Sequence, residues 1–75
     1  MAKYVVKENV THNGRSFTNI MTKHYTLGKV DDSIKKDAFK DYNEAFNYML
    51  EQINYANQVV PSDYKLTWDV VELGD

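Results

Sequence analysis

The sequence contains no cysteine, which removes disulfide staples and thiolate zinc sites together. It contains one proline, Pro61, and three glycines, Gly14, Gly28 and Gly74, so few positions are placed to break a regular element. Arg15 is the only arginine; the guanidinium fork that grips phosphates and base edges is almost missing. No apolar run approaches the roughly 20 residues of a membrane-spanning helix. Met1-Ala2-Lys3-Tyr4-Val5-Val6 lacks the apolar stretch of a secretory signal peptide. Membrane association is therefore not expected, and a cytoplasmic location is.

Catalytic signatures are missing too. No Gly-rich phosphate loop and no zinc-protease or deaminase motif occurs, and Ser16, Ser33 and Ser62 have no nucleophile-elbow context. Asp31, Asp32, Asp37 and Asp41 precede a helical segment, but without the ligand alternation and central glycine of a calcium loop. They suit helix capping and solubility. His12 and His24 fall far apart on one hairpin, with no neighbour in sequence to orient either as a base; both are expected to be ordinary surface histidines. No cofactor, metal or enzymatic activity is expected.

What is present bounds the fold. A chain of 75 residues forms one domain, residues 1–75, that hides only roughly 60% of its unfolded surface. Without disulfides it must rely on an aromatic-rich core, self-association, or both; 6 Tyr, 3 Phe and 1 Trp supply the rings.

The first segment alternates. Tyr4, Val6 and Val10 share one strand face, with Glu8 the exception; Val5, Lys7 and Asn9 share the other. Asn13-Gly14 is the preferred centre of a two-residue type I′ turn, since both residues tolerate positive φ. That turn sets Val10 opposite Phe17, Val6 opposite Met21 and Ala2 opposite Tyr25, with Leu27 continuing the second strand. The mismatches are Glu8 with Asn19 and Tyr4 with Lys23. A slip of one residue would destroy the match.

A helix is expected over about Tyr42–Gln58, capped by Asp41 through the Glu44 amide. A competing start lies at Asp32 or Ser33, with a loop or short turn preferred there. Pro61 ends the helix. Tyr64, Leu66, Trp68 and Val70 then alternate with Lys65, Thr67 and Asp69 as a third strand. The predicted fold is α+β in the order ββαβ: a three-stranded, largely antiparallel sheet on one helix, in two layers. Trp68 is expected at the centre of the core, with Trp68→Ala unfolding the domain.

At roughly 100° per residue the helix carries two apolar stripes. Tyr42, Phe46, Met49, Ile53, Ala56 and Val60 are expected against the sheet. Tyr48, Tyr55 and Val59, with Gln52 between them, are expected in solvent as a protein interface. Val5, Ile20 and Val71 on the outer sheet face form a possible second interface.

The expected function is a non-enzymatic protein-interaction module, of the small accessory or regulatory kind found in bacteria or their phages. Its partners would be a second copy, as a homodimer, or another protein. The alternative is a weak nucleic-acid-binding domain using Lys3, Lys7, Arg15 and Lys23, with Tyr25 stacking on bases. The net charge of -2 disfavours that alternative.

Overall fold

A computed structural model describes residues 2–74 of the chain. The elements are β1 (Lys3–His12), β2 (Arg15–Met21), β3 (Thr26–Leu27), α1 (Asp32–Asp37), α2 (Tyr42–Val59) and β4 (Lys65–Leu73). The fold is α+β, with an antiparallel sheet on a long helix. The sheet has four strands rather than three, in the order β3-β2-β1-β4, every pair antiparallel.

The hairpin forms in the expected register. Val6 lies opposite Met21, Val10 opposite Phe17 and His12 opposite Arg15. Asn13 and Gly14 both take positive φ, 52° and 76°, as a type I′ turn requires. β4 settles beside β1, with Val6 opposite Val70 and Val10 opposite Leu66.

β2 stops at Met21, so the expected pairs of Tyr4 with Lys23 and Ala2 with Tyr25 do not form. The Thr22 N–H donates to the Tyr25 carbonyl at 2.9 Å. The chain reverses there, and Leu27 returns beside Ile20. Thr22-Lys23-His24-Tyr25 has none of the Gly, Pro or Asn residues that advertise a turn, so the alternation reads straight through it.

The early end of β2 leaves Tyr4 of β1 without a neighbour on that side. Phe39 fills the gap. Its N–H donates to the Tyr4 carbonyl at 2.8 Å, and its carbonyl accepts from the Tyr4 N–H at 2.8 Å. Successive side chains of an extended segment point to opposite faces. Here Ala38 packs with Val5, Ile20 and Ile34 on one face, and Phe39 with Val6, Ala45 and Met49 on the other.

Both competing helix starts are used, by two helices. The Asp31 carboxylate accepts from the Ile34 N–H at 2.9 Å and caps α1. Asp41 caps α2 through the Asn43 N–H at 3.2 Å, not through Glu44. α1 ends because Ala38 turns to an extended ψ of 149°.

Three expectations about burial are corrected. First, Val5 and Ile20 are buried and Val71 is partly buried beneath Ile34 and Ala38. Helix α1 covers that island, so the sheet carries a core on each face at this end and the three residues are packed there rather than presented as an open surface. Second, Tyr42 and Phe46 stay exposed. The buried line of α2 is Ala45, Met49 and Ala56, because the two alanines let the helix sit close to the sheet. The Tyr42 ring stands edge-on to Tyr4 and stacks on Phe46. Third, Trp68 is only partly buried, on an edge strand at the rim of the Val6–Met49 cluster; Val6 holds the centre.

The second core makes α1 part of the fold rather than a decoration. Ile34 is fully buried, so Ile34→Ala is expected to lower stability by roughly 2–5 kcal/mol, measured by urea unfolding. Trp68→Ala should leave a folded chain with a reduced melting temperature.

Candidate functional site

Helix α2 crosses over β1 and β4, which decides what stays open. On its face of the sheet the distal half of β2 has no cover. Glu8 and Asn19, a polar pair between apolar neighbours on that face, mark where the core stops; the Asn19 amide donates to the Glu8 carboxylate at 2.9 Å. Beyond them lies a groove lined by Val10, Phe17, Val59, Tyr64 and Leu66. Phe17 is 53% exposed and Val59 54%.

Tyr64 and Pro61 form the end wall of this groove and of a second one on the β4 side, which Ile53, Asn57 and Trp68 line. The His12 ring holds the wall in place by stacking on Tyr64, with centroids 3.9 Å apart and planes 4° from parallel. His12 Nδ1 is buried and makes no hydrogen bond; the nearest Asp63 carboxylate oxygen lies 3.4 Å away, out of hydrogen-bonding alignment. His12 is thus a packed residue that ties the hairpin tip to the loop after α2, not a surface histidine.

The expected helix interface is shorter than its sequence spacing implies. Tyr55, 63% exposed, and Val59 project into solvent. Gln52 is half-buried, and so is Tyr48, whose ring packs 5.3 Å from that of Phe39. Burial pushes the Tyr48 phenol above its ordinary value, with help from the Glu51 and Asp37 carboxylates. Tyr48 therefore belongs to the core margin, because Phe39 occupies the sheet edge beneath it. Phe17 is the residue that sequence reasoning misses: the alternation puts it on the covered face, although its polar neighbours Glu8 and Asn19 signal otherwise.

No protein-family model, curated protein or solved structure matches the chain. The geometry of the chain itself carries the functional reading.

Lys3, Lys7, Arg15 and Lys23 do not assemble into one patch, although Lys23 shares a shallow cavity with Lys36 and Lys40. Lys3 Nζ donates to the Lys35 carbonyl at 3.2 Å. Lys7 lies opposite Asp69 on the other sheet face. Arg15 starts β2, whereas Lys23 and Tyr25 lie in or beside the turn at its far end, about 20 Å away at the rise of a strand. Among the described residues no three His, Asp or Glu side chains gather as a metal site, and no helix is long and apolar enough to cross a membrane.

His24 does have a partner, brought by the fold from 13 residues away. Its Nδ1 lies 2.8 Å from Asp37 Oδ1, and its backbone N–H donates to Asp37 Oδ2 at 3.0 Å. The buried Thr22 hydroxyl donates to the same Oδ2 at 2.7 Å. One carboxylate thus staples the β2–β3 turn to the end of α1. The His24 bond, then the Thr22 hydroxyl, hold the Asp37 carboxyl below its ordinary value, against a smaller opposing effect of burial. The imidazole is otherwise largely exposed, and the cluster anchors the turn to the helix.

A lowered carboxyl value means the folded state favours the ionised form. The resulting stability is present above the ordinary Asp value, about 3.9, and is lost as pH falls through the lowered one. The melting temperature of Asp37→Asn should therefore lie below wild type at pH 7, and the gap should close as pH falls below the ordinary Asp range.

Proposed function

We propose that this chain is a non-enzymatic protein-interaction module, acting by self-association, by binding a partner protein, or both. The observation that carries the reading is the groove between the α2 flank and the hairpin. Phe17 and Val59 present two large apolar groups to solvent across a cleft floored by Val10 and Leu66. A small chain that leaves such groups uncovered gains by burying them against another surface. Tyr55, one helical turn before Val59, extends the surface with a ring and a polar tip, a combination enriched at protein interfaces.

Polar chemistry does not compete for this cleft. Its carboxylate, Glu8, already accepts from Asn19, and no histidine or lysine lines it. The groove suits apolar side chains of a partner, with Glu8 and Asn19 at its rim.

Three serine substitutions, Phe17→Ser, Tyr55→Ser and Val59→Ser, should keep the fold, since all three side chains are at least half exposed. A protein captured by the immobilised wild-type chain should be lost by the triple variant. After purification it should bind the wild type at least tenfold more tightly in calorimetry. Equal binding to both chains would move the interface away from this groove.

A further inference from the structure

The sheet has two unequal edges. On one side β3, only two residues long, covers Ile20 and Met21 and leaves Arg15–Asn19 of β2 as a short free edge. The other is β4, nine residues from Lys65 to Leu73, whose full length pairs with β1 on one side and, among the described residues, with nothing on the other. A free edge of that length, with no proline or bulge, is a template for another strand. Natural proteins protect such edges with charges. β4 carries Lys65, Asp69 and Glu72, and the first two admit pairing with a copy of the same strand.

We propose that β4 pairs antiparallel with β4 of a second copy, about a two-fold axis at Thr67. Such an axis, perpendicular to the sheet, keeps both helices on the same face and makes each residue meet its mirror position. With the axis at Thr67, Lys65 lies opposite Asp69 of the other copy, twice, and Leu66 opposite Trp68, twice. Thr67 meets Thr67. Neighbouring registers lose this match. An axis at Asp69 sets the two Asp69 carboxylates against each other, one at Leu66 sets Asp63 against Asp69, and one at Trp68 leaves Lys65 facing Val71. Of these, only the Thr67 axis joins opposite charges, and on the outer face Asp69 would then sit between its own Lys7 and Lys65 of the second copy.

The helix layer fits the same axis. Helix α2 straddles β1 and β4, so its axis lies about one strand spacing, about 4.8 Å, from the midline of the new pair. Two copies of α2 would run about 10 Å apart, the separation of helices in contact. This axis pairs residues 65–69 of the two strands, so the last turns of α2 come abreast; their β4-side flank carries Ile53 and Asn57, with Leu50, 46% exposed, at its margin. The groove lined by Ile53, Asn57, Leu66 and Trp68 would become the floor between the helices. This surface is the opposite flank of α2 from Tyr55 and Val59, so it is independent of the partner groove.

The test is the solution mass of the full chain, by light scattering or sedimentation across a concentration series. Wild type should reach twice 8.8 kDa. Lys65→Glu and Asp69→Lys should each weaken dimerisation about 10- to 30-fold, because each turns two attractive cross-strand pairs into repulsive ones. Far-UV circular dichroism should stay that of wild type. Mixing the two variants should restore the dimer. The two introduced charges then face each other across the axis with opposite sign, and so do the native Asp69 of one chain and the native Lys65 of the other. The triple serine variant of the partner groove should dimerise like wild type. A wild type that stays at 8.8 kDa, single variants as dimeric as wild type, a mixture that fails to re-pair, or loss of the dimer in the serine variant would each overturn the proposal.

Discussion

Two hydrogen bonds between the backbones of Tyr4 and Phe39 decide how this chain makes a core. A short sheet has two faces and normally covers one. Here β1 outruns β2 at one end, and Phe39 takes the vacant place beside it. In doing so it carries the chain through the plane of the sheet. The segment before it, with Ile34 and Ala38, seals one face, and the helix after it seals the other. Val5 and Val6, neighbours on one strand, are both fully buried. A chain without disulfides thereby obtains two small cores from one central strand, where a two-layer fold would have only one.

The Asp37 staple supports the same arrangement from the other side. The crossover works only if β2 turns back early, and the turn at Thr22–Tyr25 has weak local preference of its own. A carboxylate at the end of α1 supplies what the turn lacks, accepting from Thr22 and His24. The helix that covers the second core and the turn that makes room for it are held by the same side chain.

Local order is legible in the sequence where turn chemistry and alternation agree. The hairpin register follows from Asn13-Gly14 and the facing apolar pairs, the α2 start from Asp41, and β4 from its alternation. The misses share a physical cause: each depends on a contact between segments far apart in sequence. Nothing near Met21 announces that β2 ends there, and nothing near Ala38 announces a strand-like bridge to Tyr4. With the crossover unseen, Val5, Ile20 and Val71 read as an open face and Tyr48 as an exposed ring. The candidate groove is half visible. Tyr55 and Val59 stand out by helical spacing, while Phe17 is concealed by an alternation that looks core-facing until Glu8 and Asn19 are given their full weight.

The place of β1 in the sheet also sets an order of assembly. β1 precedes the other described elements and is a central strand, yet one of its two long partners, β4, follows all of them. During synthesis the β1–β2 hairpin can close as soon as it emerges, but the other side of β1 waits for residues 65–73. Pairing across such a separation closes slowly, because the loop entropy is lost before the contacts form. For that interval the chain carries an unpaired apolar edge along Val6 and Val10, and a growing chain adds residues at only about 5–20 per second. Until β4 arrives, that edge is a template on which any other strand can pair.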